Sequence, residues 1–127
     1  VGSASHDARS VPLDMARIAQ MLLNRGAYGR MRYLREEAYR QLLPRKLTDV
    51  LGPDTSAVYG IGTSFFGDKG LGEGTFAHGA ASAATVRIDP VHDLVIVMTR
   101  NAAGRNFGKY HQRFIDAVVA GLADGAP

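Results

Sequence analysis

The sequence contains no cysteine and no apolar run near the ~20 residues that a membrane-spanning helix needs. The first absence excludes disulfides, thiolate metal sites and a cysteine nucleophile. The second predicts that no segment spans a membrane. The chain also begins at Val1 without an initiator methionine or a signal segment. We therefore expect it to be a piece of a longer polypeptide or a processed form, and its compartment stays open.

Several motifs that carry chemistry are absent as well. None of the six serines is followed by lysine at the third position, and no G-x-S-x-G occurs. The adjacent Glu36 and Glu37 point to different sides of a predicted helix, so they do not form a paired-carboxylate site. The glycine-rich stretch Gly67–Gly74 fits neither the dinucleotide nor the P-loop spacing, and we interpret it as a flexible hairpin loop. We expect no metal and no cofactor.

The basic residues are scattered rather than gathered into a nucleic-acid site. The net charge is +3, and the densest basic run lies between Arg25 and Arg45, where acidic and apolar residues interrupt it. No aromatic platform or recognition motif accompanies this run, which favours a solvated helix surface. We predict no nucleic-acid partner.

Hydrophobic periodicity predicts helices at both ends of the chain. An apolar stripe at helical spacing predicts a first helix, with Ser10 as a candidate N-cap and Gly26 as its end. Strong helix formers predict a short second helix over Arg35–Leu43, and Pro44 stops it. A second clear stripe predicts a terminal helix that begins at Phe107.

The middle of the chain has the pattern of strands. Val58–Phe66 is aromatic and β-branched, and its two glycines allow close backbone approach. Ala84–Asp89 alternates between apolar and polar residues, which predicts a strand with one face in a core. Leu94–Met98 is unbroken apolar, which predicts a central or near-central strand buried on both faces. Pro90 lies in a turn over Asp89–Asp93, so these two strands form an antiparallel hairpin.

These elements together predict an α+β fold, with an antiparallel sheet of three to four strands and flanking helices. We divide its single unit as follows: a tail over 1–9, a helical part over 10–52, antiparallel strands over 57–101 and a terminal helix over 106–123.

Among the four histidines, only His78 has surroundings that suggest chemistry. His6 lies in the tail, His92 in the turn and His111 on the terminal helix, and we interpret these three as structural or solvated. His78 precedes a run of small residues that begins at Gly79. Small side chains leave space for a ligand and expose backbone N–H groups, but they also let a helix pack close to a strand. Both interpretations remain open on local composition alone.

Three stretches, in their order and spacing, resemble the C-terminal part of the serine β-lactamase-like hydrolases. This family includes class C β-lactamases, D-alanyl-D-alanine carboxypeptidases and related esterases. The stretches start at Leu13 (LDMARIAQMLLNRGAYGRMRYLREEAYRQLL), Tyr59 (YGIG) and Phe76 (FAHGAASAATVRIDPVHDLVIVMTRN). The resemblance extends from Leu13 to about Leu122 and implies part of a β-lactamase/transpeptidase-like fold.

The resemblance implies an active-site role for the segment that follows Phe76. His78, Gly79 and Ala80 match the family's K-T-G or H-x-G motif, with Ala80 in place of the usual glycine. They would bind substrate, and the backbone N–H of Ala81 would donate to the oxyanion. The S-x-x-K and the Y-x-N or Y-x-S of the family have no counterpart here, so the chain would lack a nucleophile and be inactive alone. Members of the family are often exported.

Two hypotheses for function follow. The first is a portion of a hydrolase for small-molecule esters, amides or lactams, which supplies one wall of the active site. The alternative is a non-catalytic binding or assembly module that keeps the fold. In the family, strands from the N-terminal part pair with the last strand, here Leu94–Met98. The resemblance therefore also predicts a homodimer through an exposed sheet edge.

Overall fold

The computed structural model of this protein describes residues 12–80 and 82–124. The tail over 1–9, Ser10 and Ala81 lie outside the described residues. In chain order the elements are α1 (Pro12–Leu23), β1 (Ala27–Tyr28), β2 (Met31–Arg32), α2 (Glu36–Leu42), β3 (Arg45–Lys46), α3 (Thr48–Leu51), β4 (Val58–Tyr59), β5 (Ser64–Phe65), β6 (Phe76–Ala77), β7 (Thr85–Asp89), β8 (Leu94–Met98) and α4 (Phe107–Asp124). The fold is α+β, with antiparallel sheets and flanking helices, as the sequence predicts.

The first helix ends at Leu23, three residues before the predicted end at Gly26. The N–H of Gly26 donates to the carbonyl of Met21 at 2.8 Å, which satisfies one of the last carbonyls of α1. Gly26 has φ +91°, and a Cβ on it would lie 2.7 Å from the Cβ of Leu34. Gly26 therefore closes the turn that follows α1, and it lets the following hairpin fold back closely.

The main sheet has the order β5-β6-β7-β8, and all its neighbours are antiparallel. The predicted hairpin is confirmed, with a register that runs from Thr85 opposite Met98 to Asp89 opposite Leu94. The predicted central position of Leu94–Met98 is wrong, because β8 ends the strand order of the described residues. Of its five residues only Ile96 is buried, and the other four are partly exposed. The unbroken apolar run of β8 therefore reflects partial burial of both faces of the strand, and it does not indicate a central position in the sheet.

Both faces of β7 are covered, although the alternation of apolar and polar residues predicted only one buried face. Ile88 and Phe76 pack with Ala19 of α1 in the hydrophobic core on one face. By alternation Arg87 and Asp89 point to the other face, and both are buried. Polar residues on this strand are therefore interior groups that have partners, described below.

The predicted strand Val58–Phe66 is two short strands in different sheets. β4 pairs with β3, whereas β5 pairs with β6. Between them, the N–H of Gly60 donates to the carbonyl of Thr63 at 2.9 Å and turns the chain. Gly60 lies against the backbone of Leu42, so the predicted close approach is present at this glycine.

The segment predicted as helical also contains short strands. β1 and β2 form a two-stranded hairpin, and β3 contributes to the second small sheet. The short helix α2 and the terminal helix α4 lie where the sequence predicts them. In the part of the chain that the structure describes, no helix has the length and apolar character needed to cross a bilayer.

Candidate active site at the end of strand β6

The candidate site begins where strand β6 ends. His78 directly follows this strand, and its side chain is exposed. Its carbonyl oxygen accepts the N–H of Val86 at 3.4 Å, which fixes its backbone against β7. The strand therefore positions an imidazole that a ligand can reach.

The backbone N–H and C=O of Gly79 point away from strand β7. Gly79 lies opposite Thr85 in an antiparallel bridge. The residues before and after Gly79 bond to Val86 and Ala84, at 3.4 and 3.2 Å. Gly79 and Thr85 are thus a non-hydrogen-bonded pair, and the N–H and C=O of Gly79 point away from β7.

The opposite edge of this segment is open within the described residues. Strand β5 pairs with β6 as far as Ala77, which lies opposite Ser64. Before Ser64 the chain turns between Gly60 and Thr63. The N–H and C=O of Gly79 therefore face a side where the described chain forms no strand pairing. A backbone donor beside an exposed imidazole can bind the carbonyl oxygen of an amide or ester substrate, and the backbone acceptor can bind the N–H of an amide.

The loop after this segment is a tight turn. The N–H of Ala83 donates to the carbonyl of Ala80 at 2.8 Å, and Ala83 has φ +63°. A non-glycine residue in this region is uncommon and marks a backbone that its surroundings hold in place. Ala81, the predicted oxyanion donor, lies outside the described residues. The structure therefore places His78, Gly79 and Ala80 together along one segment.

A buried carboxylate ties the β5–β6 loop to the turn between β7 and β8. The Asp89 carboxylate accepts the N–H groups of Gly72, Val91 and His92, at 2.7, 2.9 and 3.2 Å, and lies 2.7 Å from Nδ1 of His92. Burial acts to raise the pKa of Asp89, but these hydrogen bonds to the charged form outweigh it and hold the pKa below its usual range. Asp89 thus accepts local backbone bonds, as the turn pattern predicts.

A second buried network joins the same loop to β7 and to α4. The Asp68 carboxylate forms an ion pair with Arg87 and lies 3.3 Å from Nε2 of His111. The Arg87 guanidinium also stacks over the ring of Phe66, 3.6 Å from its centroid. The ring of His111 stacks on Phe107 at 5.2 Å. The loop over Gly67–Gly74 joins two antiparallel strands as predicted, and Asp68 and Gly72 tie it to β7 and α4.

The other histidines take part in the fold. His92 binds Asp89 within one turn, and His111 is buried against Asp68. His6 lies outside the described residues. The three-residue spacing of Asp89 and His92 is a local signal that could have indicated their contact. Asp68 and Arg87 are 19 positions apart, and no local pattern joins them.

No group of three or more histidine or acidic side chains that could hold a metal occurs in the described ranges 12–80 and 82–124. Comparison with protein-family models, with curated proteins and with solved structures found no match to this chain.

Proposed function

We propose that this chain is the C-terminal portion of a serine β-lactamase-like hydrolase that acts on ester, amide or lactam bonds. The observation that carries the proposal is the exposed His78 beside the open backbone edge of Gly79. This pair stands at the end of a strand in an antiparallel sheet flanked by helices, where the resembling family has its third motif. The order of the resembling stretches along the chain adds support.

In this function the chain supplies one wall of the active site. His78 contacts the substrate or the negative charge that develops on its carbonyl oxygen, and Gly79 and Ala80 line the same wall. The Ala81 N–H is the proposed oxyanion donor. The nucleophile and its base come from an S-x-x-K outside this sequence.

The first prediction is that the isolated chain does not hydrolyse nitrocefin or p-nitrophenyl acetate. A wall without nucleophile and base retains only weak electrostatic assistance. Purified protein and a His78→Ala control should therefore give the same rate. Turnover by the wild-type chain above that control contradicts the prediction.

The proposal itself is tested on a polypeptide that contains this sequence together with an S-x-x-K. A fluorophosphonate probe should label that polypeptide and leave the isolated chain unlabelled. There, His78→Ala should lower kcat/KM about 100-fold, the size of effect seen when one oxyanion donor is removed. His78→Lys should restore most of the activity, because the family motif accepts either residue. Full activity of the alanine variant contradicts the proposed role of His78.

The second candidate function is a non-catalytic binding or assembly module. It is favoured by the absence of S-x-x-K and Y-x-N from the sequence and by the exposed apolar side chains of the β1–β2 hairpin. A natural polypeptide that contains this sequence but reacts with no serine-directed probe supports this candidate over the first.

A further inference from the structure

One face of the β1–β2 hairpin presents three large apolar side chains to solvent. Tyr28 and Met31 are a cross-strand pair, so their side chains lie on the same face. Tyr33 follows Met31 by two residues and shares this face, with its hydroxyl 3.7 Å from the Met31 sulfur. The three residues are 40%, 61% and 58% exposed. We call Tyr28, Met31 and Tyr33 the hairpin face.

The base of the hairpin is held by hydrogen bonds. The Arg32 guanidinium donates to the carbonyls of Arg25 and Leu34, at 2.9 and 3.1 Å. The carbonyl of Gly26 accepts the N–H of Tyr33 at 2.8 Å. The backbone that carries the hairpin face is therefore held in place, so a partner that binds this face loses little free energy to ordering that backbone.

The stretch of sequence that contains the hairpin and α2 is basic. Residues 25–46 contain seven basic residues and two acidic ones, which gives a net charge of +5. The whole chain has +3, so the remaining residues carry −2. Two of the basic side chains have acidic partners, because Arg40 pairs with Glu36 and Arg45 pairs with Asp49. Arg30, in the hairpin turn, and Arg35, which follows Leu34, are exposed.

An open groove beside Tyr33 extends the surface along α2. It is lined by Tyr33, Leu34, Arg35, Glu37, Ala38 and Gln41. The groove thus combines apolar walls with both signs of charge. The Glu37 carboxylate would repel the phosphates of a nucleic acid. A peptide can instead place an acidic side chain beside Arg35 and an apolar side chain against Leu34.

We propose that the hairpin face and this groove bind an acidic segment of another protein that carries an aliphatic or aromatic anchor. Tyrosine, methionine and arginine are the residue types enriched in protein interfaces. The excess positive charge of residues 25–46 favours an acidic partner by complementarity. It also opposes a two-fold contact with a second copy, which would bring equivalent basic surfaces together.

The test is a selection of random 12-residue peptides displayed on phage, carried out with the full 127-residue chain. The same library is passed over a Met31→Ala/Tyr33→Ala variant and over a Tyr110→Ala variant. Tyr110 lies on α4 and is 53% exposed, so it is a matched control for removing an exposed tyrosine. Circular dichroism confirms that each variant folds.

We expect the selected peptides to be acidic with one apolar anchor. Fluorescence anisotropy should show binding that weakens about tenfold or more in the double variant, because two anchoring side chains are lost, and that is unchanged in Tyr110→Ala. A Glu37→Gln variant should bind these acidic peptides more tightly. The proposal is overturned by failure to enrich any peptide, by basic peptides, or by peptides that bind the double variant equally well.

Two further outcomes would identify a different occupant. Single-stranded dT12 that binds through Tyr28 and Tyr33, and is lost in their alanine variants, would overturn the proposal in favour of nucleic acid. Self-association that disappears in the Met31→Ala/Tyr33→Ala variant would overturn it in favour of a second copy. None of these outcomes depends on hydrolase activity, so this inference and the proposed function fail independently.

Discussion

At the scale of single residues, Asp89 connects the two loops beside the sheet. Its carboxylate accepts N–H groups from the loop at Gly72 and from the turn at Val91 and His92. Asp89→Asn loses the negative charge and part of this acceptor capacity. We expect it to lower the free energy of unfolding by about 2–3 kcal/mol at pH 7, measured by urea denaturation. Asp93→Asn is the control, because Asp93 is exposed in the same turn at φ +52°, where asparagine is tolerated.

The effect of Asp89 depends on pH in a defined direction. Its pKa is lowered in the folded state, so its stabilising contribution is complete above the unfolded value of about 3.9 and is lost as pH falls toward the folded value. The stability difference between wild type and Asp89→Asn should therefore shrink below about pH 4. A difference that stays constant down to pH 2 would show that the charge of Asp89 is not what stabilises the turn.

The ion pair of Asp68 and Arg87 is the second stabilising contact at this scale. The side chain of Arg87 is 8% exposed, so Asp68→Ala leaves a buried guanidinium without its carboxylate. We expect a loss of about 3–5 kcal/mol in thermal or urea unfolding. Asp14→Ala breaks the exposed pair with Arg17 and should change stability by less than about 0.5 kcal/mol.

A double replacement distinguishes the pair from its surroundings. Asp68→Leu with Arg87→Met should recover at least half of the loss, since apolar residues of similar volume can replace a buried pair. Equal destabilisation by Asp68→Ala and Asp14→Ala would contradict the importance of burial.

Alternation along β7 could indicate which face of the strand Arg87 occupies. It could not show that this face is buried, because the partners Asp68 and His111 are distant in sequence.

At the scale of elements, patterns within short stretches of sequence predicted the elements that form within one such stretch. The β7–β8 hairpin, α2 and α4 are each continuous in sequence, and periodicity, helix formers, an unbroken apolar run and the turn at Pro90 indicated them. Val58–Phe66 was predicted as one strand because its residues favour one, but Gly60 turns against the backbone of Leu42 and divides it. The position of β8 in the sheet was missed because an apolar run reports burial and not strand order.

For the candidate site, the resemblance indicated His78. The edge of Gly79 that has no strand partner among the described residues became visible only through strand pairing.

The division at Gly60 leads to the fourth prediction. A Cβ on Gly60 would overlap the Leu42 carbonyl oxygen and the Thr63 hydroxyl. Backbone atoms cannot move aside easily, so Gly60→Ala should destabilise the protein by about 2 kcal/mol or more in urea unfolding. Gly67→Ala is the matched control, because nothing lies within 4 Å of a Cβ there. A Gly60→Ala variant as stable as that control would mean that this turn is loosely packed.

At the scale of the whole molecule, the main sheet ends at β8 within the described residues. Within the described residues β8 pairs with β7 alone, so its other edge carries backbone N–H and C=O groups without strand partners in that part of the chain. A five-residue apolar strand with such an edge recruits another strand. We predict a two-fold dimer in which equivalent β8 edges meet. This dimer uses a different element from the hairpin face, so the two proposed interactions involve different residues.

Sedimentation velocity over a concentration series tests this dimer. The wild-type chain should shift from monomer to dimer as concentration rises. Thr99→Lys, at an exposed position directly after β8, should weaken the dimer because a charge at a strand edge opposes pairing. Lys109→Ala, a change at an exposed position on α4, should leave it unchanged. Amide exchange in β8 should slow with association, since the new strand pairing would protect its outer N–H groups. A chain that stays monomeric at hundreds of micromolar with slow exchange throughout Leu94–Met98 would show that residues of the same chain cover the edge, and that the sheet needs no second copy.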